Sequence, residues 1–292
     1  MASNERILVT GASGHLGQLV LENLLKSGQK DLIGTTRSPD KLAHLTQKGV
    51  EIRAADFNNI SSLVEAFRGA TRLLLISTAD IGQRIEQHKN AIDAAKKAGV
   101  KHIFYTSWPN TETSPALVAP DHAATENLIK ESGLKYTFLR NNPYTQNLFY
   151  SLPNAIESGK LFGCAGDGKV SYVMREDCAA AAAGALINAE KYENTYFDIT
   201  GPKAYSYPEL LNVLNEVTGK KVTYIDISPE DFKAGAISSG LPELYAQLFV
   251  SFDLAAKQGD SGLVTDAVQK LSGKPAADIH AFLKANFSSK VL

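Results

Sequence analysis

Cysteine is scarce in this chain: Cys164 and Cys178 are the only two in 292 residues. They stand far from any metal-ligand spacing and form no even cluster, which excludes a disulfide-stapled secreted module and suits a reducing compartment. Charge of one sign is also missing. With 30 basic and 31 acidic side chains the net charge is −1, so no global field gathers nucleic acid or an anionic membrane, and neither is expected as a partner. Long apolar runs are absent too. The alanine-rich stretch at residues 178–189 is well short of the roughly 20 residues that span a bilayer and reads as a buried helix. Met1 to Arg6 lead into an apolar strand with neither a basic leader nor a cleavage site, so a cytoplasmic protein is expected. The six histidines show no His-x-x-x-His or Glu-paired spacing, and no Gly-x-Ser-x-Gly elbow occurs. Zinc and hydrolase chemistry are therefore not expected.

What is present is a regular alternation. Short apolar or β-branched runs predict strands over residues 6–9, 31–35, 50–54, 72–76, 102–105 and 136–140. Helical patterns separate them at residues 14–26, 40–47, 61–67, 85–98 and 121–132. Pro39-Asp40 opens one helix, Asp121 is placed to cap another, and Gly69, Gly99 and Gly133 follow helix ends where a left-handed residue is wanted. Strands joined by helical crossovers pair in parallel, so the expected fold class is α/β with a doubly wound sheet. After Arg140 the rhythm breaks at Asn141-Asn142-Pro143. Strands at 195–199 and 222–227, and helices at 207–217 and from 229 onward, make a smaller second region. The division expected is residues 1–150 for a dinucleotide-binding domain and 151–292 for a substrate-covering region, with about 178–200 returning to the main sheet.

The first strand-to-helix turn reads Gly11-Ala12-Ser13-Gly14-His15-Leu16-Gly17. Three glycines at three-residue intervals let backbone amides approach a pyrophosphate, and the following helix N-terminus favours an anion. This is the Rossmann-type fingerprint in its required place, about 20 residues before the end of the second strand. There a protein that prefers NAD carries an acidic side chain for the ribose hydroxyl. This chain has Arg37, a fork suited to a 2′-phosphate, so the cofactor read from the residues is NADPH (NADP).

With these residues, Asp56-Phe57, the run Leu73-Leu74-Leu75-Ile76-Ser77, Ile81-Gly82-Gln83-Arg84, Gln87-His88, and Tyr136-Thr137-Phe138-Leu139-Arg140-Asn141, the chain resembles the NmrA-like group of atypical short-chain dehydrogenases. Within it, the quinone-reducing and triphenylmethane-dye-reducing bacterial members are most similar. The resemblance extends through Ala165-Gly166-Asp167-Gly168-Lys169 and Arg175, over nearly the whole chain. It implies that Gly11, Ala12, Ser13, Gly14, His15 and Leu16, with Gly17 behind them, hold the pyrophosphate. It further implies Arg37 on the 2′-phosphate, Asp56 and Phe57 at the adenine, and Ser77 and Thr78 along the ribose. Asn141, Asn142, Pro143, Tyr144, Thr145 and Gln146 would line the nicotinamide, and Arg175 would reach back toward the cofactor.

One absence bears on mechanism. Short-chain dehydrogenases at large carry a catalytic Tyr-x-x-x-Lys pair, and no such spacing occurs here; the corresponding helix holds His122 and Glu126. Ketone reduction needs a proton donor at the nascent alkoxide, whereas a quinone yields a delocalised phenolate that water can protonate. His122 is thus either a proton donor or an ordinary polar residue near a helix start. Trp108, the lone tryptophan, follows the fifth strand where ligands bind in such sheets, and with Tyr144 and Phe149 is expected to form an aromatic platform for a flat ring. The reading is an NADPH-dependent reductase passing hydride to a quinone or similar small planar acceptor, without metal or flavin. A dye or enone reductase and a non-catalytic redox-sensing regulator are the alternatives.

Overall fold

A computed structural model describes residues 5–288. The strands are β1 (Ile7–Val9), β2 (Leu32–Thr36), β3 (Glu51–Ala54), β4 (Arg72–Leu75), β5 (His102–Ser107), β6 (Lys135–Asn141), β7 (Lys160–Gly163), β8 (Thr195–Ile199) and β9 (Thr223–Asp226). Seven of them form one sheet in the order β3-β2-β1-β4-β5-β6-β8, with every pairing parallel. This is the doubly wound α/β arrangement. The order reverses between β1 and β4, so the connections after these two strands leave in opposite directions and open a ligand-sized crevice at their carboxyl ends.

The helices are α1 (His15–Lys26), α2 (Ala43–Thr46), α3 (Ile60–Phe67), α4 (Arg84–Ala98), α5 (Ala119–Glu131), α6 (Leu152–Ser158), α7 (Arg175–Ile187), α8 (Tyr207–Thr218), α9 (Pro229–Ser238), α10 (Glu243–Gln258), α11 (Ala267–Ser272) and α12 (Ile279–Phe287). On one face of the sheet Val20, Leu21 and Leu24 of α1 join Ala179, Ala182 and Leu186 of α7 and Leu271 of α11. On the other face Leu63 and Phe67 of α3, Ala91 and Ile92 of α4 and Ile129 of α5 cover Leu8, Leu73 and Tyr105. The alanine-rich run is the buried helix α7, whose small side chains allow close packing. At Gly184 a Cβ would lie 1.9 Å from the Leu271 carbonyl oxygen, which explains a glycine in a helix interior where it is otherwise unfavourable.

Gly99 and Gly133 follow α4 and α5 with φ of 82° and 77°, as the left-handed position requires. Two local expectations are corrected. The helix anticipated at 40–47 is a 3-10 turn at Pro39–Leu42 followed by the short α2. Asp121 does not cap α5, which begins at Ala119 with a proline in its first turn; the Asp121 carboxylate turns instead toward Arg84, 3.4 Å away. The sequence pattern also missed β7, which pairs in parallel with β9 to form a separate two-stranded sheet. A third cluster, with Leu152, Leu210, Leu214, Phe282 and Leu283, packs beside it.

Gly17 sits where α1 passes over the turn after β1, and a Cβ there would lie 2.4 Å from the Gly11 carbonyl oxygen and 2.9 Å from Ala12 Cα. Both obstacles are backbone, so neither can rotate away. Gly17→Ala is expected to cost at least about 1–3 kcal/mol of stability, the usual range for overpacking. Urea unfolding checks this, and a loss under about 0.5 kcal/mol would show that α1 shifts freely.

Candidate functional site

The turn after β1 is anchored to both neighbouring strands. Thr10 Oγ1 donates to the Leu74 carbonyl at 3.2 Å and accepts from the Ile76 amide at 2.9 Å, while the Ala12 amide donates to the Thr35 carbonyl at 2.9 Å. Gly11 takes φ +59°, a conformation that suits glycine. Gly14 is the N-cap residue of α1 and offers no capping side chain, so the helix presents first-turn amides and the positive end of its dipole at the switch point. Ser13, Gly14 and His15 are exposed there, whereas Ala12, Leu16 and Gly17 are buried beneath. Arg37 follows β2, is exposed and makes no ion pair among the described residues. Asp56 and Phe57 follow β3, where Asp56 Oδ1 accepts from the Asn58 amide at 2.9 Å and the Phe57 carbonyl accepts from Asn90 at 3.0 Å. The loop after β4 holds Ser77, whose amide donates to Thr106 Oγ1 at 2.9 Å, and Thr78, whose hydroxyl is buried without a partner.

At the end of β6 the chain brings together residues some thirty positions apart. The Thr145 amide donates to the Val173 carbonyl at 2.9 Å, as the Val173 amide does to Pro143 at 3.2 Å. The Arg175 amide donates to Gln146 Oε1 at 3.1 Å, and its guanidinium lies 5.1 Å from the centroid of the Tyr144 ring. Asn141 Nδ2 donates to Tyr144 Oη at 3.2 Å, leaving Asn141 Oδ1 buried and unpartnered. Asn142 turns away from this group. Its amide donates to Ser171 Oγ at 2.6 Å and the Ser261 carbonyl at 2.8 Å, so it is a strut between chain segments and not a lining side chain. Thr145 is likewise buried. A groove of about 510 Å³ lined in part by Tyr136, Arg140 and Tyr196 runs along the β6–β8 flank and includes none of the turn residues.

A family model described as NmrA-like family matches residues 3–277. The chain belongs to the NmrA-like family. It is 40% identical over 276 residues to Quinone oxidoreductase 2 of Escherichia coli K12, covering 94% of this chain and 96% of that protein. The NADPH complex of the E. coli NADPH-dependent quinone oxidoreductase QOR2 superposes with a TM-score of 0.92 at 38% identity, over 96% of this chain and 99% of that one. The NADP(H) complex of the Citrobacter sp. triphenylmethane reductase gives 0.88 at 36% identity, over 98% and 100%.

In this NmrA-like chain His122, read from the sequence as either a proton donor or an ordinary polar residue near a helix start, lies in the interior. His122 is 6% exposed, and its Nδ1 lies 2.7 Å from the hydroxyl of the fully buried Tyr105. Burial, reinforced by Arg84 and His88, drives its pKa well below 6.5. A neutral imidazole has no proton to spare as a general acid near pH 7. Glu126, at the other position of the missing pair, accepts from Ser107 Oγ at 2.7 Å and from Arg140 Nε and Nη2 at 2.9 and 2.7 Å. Both residues are committed to the interior.

The aromatic platform is not assembled. Trp108 is 8% exposed and stacks on Phe252 of α10, with centroids 5.1 Å apart. Phe149 packs against Phe282 and Phe287 of α12, and Tyr144 against the α1 and α7 side of the sheet. An isolated tryptophan beside a proline carries no sign of which wall it meets, and the partner lies far along the chain. Sequence reasoning also missed Arg84, Gln87 and His88 as a buried group, although their helical spacing was legible.

The buried histidines set an acid limit on stability. Burial lowers the pKa of His88 to about 3 and of His102 to about 4, and holds that of His122 well below its ordinary value. Each is neutral when folded and takes up a proton near 6.5 when unfolded, so stability is fully present above pH 6.5 and falls as the pH drops toward 4. The expected slope is about 1.4 kcal/mol per pH unit for each histidine. Urea midpoints from pH 7 to 4 check this, and His122→Asn should remove about a third of the slope; an unchanged slope would contradict the assignment. Trp108→Ala is expected to cost about 3–5 kcal/mol, as a buried aromatic does, and thermal unfolding reads it directly.

Proposed function

We propose that this chain is an NADPH-dependent oxidoreductase that transfers hydride directly to a quinone or similar planar acceptor, without metal or flavin. The observation that carries the acceptor class is the loss of acid chemistry at the helix that follows β5. His122 is a buried neutral imidazole and Glu126 is clamped by Ser107 and Arg140, so neither is free to protonate an alkoxide. A quinone suits such a site because its reduced anion is delocalised and can take its proton from water. A triphenylmethane dye suits it as well, since its cation needs hydride alone. The relatives that reduce quinones and triphenylmethane dyes support this reading.

The residues present fit the dinucleotide. The capless start of α1, with Ser13 to His15 exposed, would hold the pyrophosphate, and the exposed Arg37 would take the 2′-phosphate. Asn141 Oδ1, a buried acceptor without a donor, would be satisfied by an amide of the nicotinamide end. Arg175 would steady the Tyr144 ring beside it. The cofactor supplies hydride. The chain's part is to fix the relative placement of two flat rings, for which orientation alone gives a large rate advantage. A cytoplasmic setting goes with this reading, in keeping with two buried, unpaired cysteines.

Steady-state oxidation of NADPH against quinones, triphenylmethane dyes and simple ketones tests the proposal. Quinones and dyes are expected to turn over, and ketones to stay at background. Cofactor binding without turnover of any acceptor would favour the redox-sensing regulator instead. Arg37→Ala is expected to weaken NADPH by about 10- to 100-fold, the loss of a charge-assisted hydrogen-bonding pair, with NADH almost unchanged. Equal affinities of the parent chain for the two dinucleotides would overturn the NADPH preference.

A further inference from the structure

The inward stripe of α4 runs Arg84, Gln87, His88, Ala91, Ile92, Ala94 and Ala95. An amphipathic helix places apolar residues on such a stripe. Here its first turn and a half carries a guanidinium, an amide and an imidazole, exposed by only 6%, 2% and 0%. All three reach the loop after β4. His88 Nε2 lies 3.1 Å from the Thr78 amide nitrogen; an amide can only donate, so Nε2 accepts and the ring proton is on Nδ1. That proton goes to Thr125 Oγ1 at 2.9 Å, and Thr125 Oγ1 in turn donates to the Asp121 carbonyl at 2.7 Å. Arg84 Nε donates to the Thr78 carbonyl at 2.8 Å, with its Nη1 3.4 Å from Asp121 Oδ2. Gln87 Nε2 donates to Asp80 Oδ2 at 2.9 Å.

Both main-chain polar groups of Thr78 are therefore taken by α4 side chains, and those side chains are held by α5. The loop they grip begins at the inner edge of the switch point, next to the turn that Thr10 ties to β4. Holding that loop leaves the Thr78 hydroxyl buried and unpartnered, a conformation the loop would not select for its own hydrogen bonding. We infer that Arg84 and His88 are positioning residues, which hold the Thr78 peptide in the arrangement that receives the dinucleotide. The inference rests on the NADPH reading above. Its energetic content is preorganisation: a loop fixed before binding does not have to be ordered during it.

The test uses the full chain with NADPH and NADH, read by cofactor fluorescence titration, turnover and thermal unfolding. Arg84→Met and His88→Leu keep the volume of the stripe and remove the grip. Each is expected to raise the Kd of NADPH and of NADH by a common factor of about tenfold, because the grip lies away from the 2′-phosphate that Arg37→Ala affects selectively. Turnover at saturating cofactor should stay within about threefold. His88→Gln, whose carboxamide can again accept from the Thr78 amide, should recover most of the affinity that His88→Leu loses, which a merely structural role would not produce. Should His88→Leu fail to fold, Arg84→Met decides. Parent-like Kd values in folded Arg84→Met, or a glutamine variant no better than the leucine one, overturn the inference alone. A parent chain that binds neither dinucleotide overturns both it and the cofactor reading.

Discussion

Where α1 begins, its backbone runs so close to the Gly11 carbonyl that residue 17 has no room for a Cβ. That contact lets the helix lie low on the sheet with its N-terminus at the point where the strand order reverses. The rest of the molecule follows from how low it lies. The face of α1 bearing Val20, Leu21 and Leu24 meets the alanines of α7, and α7 in turn closes against α11 at Gly184. Stacking these helices at short range sets where α7 starts, and it starts at Arg175, against Tyr144 and Gln146. One backbone contact under the turn after β1 is thus linked through three helices to the far end of the candidate cofactor site.

The interior around α5 is polar, and its groups are paired. Glu126 and Arg140 form a two-pronged ion pair with Ser107 attached, and His122 is hydrogen-bonded to Tyr105. Removing one member of a buried pair leaves an uncompensated charge and typically costs about 3–5 kcal/mol. Such groups are held by stability whether or not they touch a ligand. On the proposed reading, the helix that carries acid chemistry in short-chain dehydrogenases serves here as scaffold, and the reaction proposed for the site is one that needs no acid.

Local signals in the sequence matched local structure well. Short apolar or β-branched runs located the strands, the glycine triple marked the turn between β1 and α1, and Arg37 stands directly after β2 because that position depends only on β1 through β2. The misreadings at Trp108, Asn142 and Phe149 share a cause: each concerned a side chain whose partner lies far along the chain. Trp108 stacks on Phe252, Asn142 bonds Ser171 and Ser261, and Phe149 meets Phe282. Nothing beside these residues in sequence says whether they face a cleft or a helix. His122 was ambiguous for a different reason, since burial decides its protonation and burial is a property of the finished core. Arg84, Gln87 and His88 carried a readable clue, polar residues on an apolar stripe, whose meaning appears only with the β4 loop in place.

Asn142 joins three stretches of chain at one buried point: its amide nitrogen donates to Ser171 and to Ser261, and its main-chain amide to Ile199 at the end of β8. A fragment ending near residue 150 would strip this side chain of all those partners, and would also bare the α1 face that α7 covers. The first half of the chain thus relies on the second to complete its core. The turn between β1 and α1 is local in sequence, but the core beneath it is completed only by residues of α7 and α11.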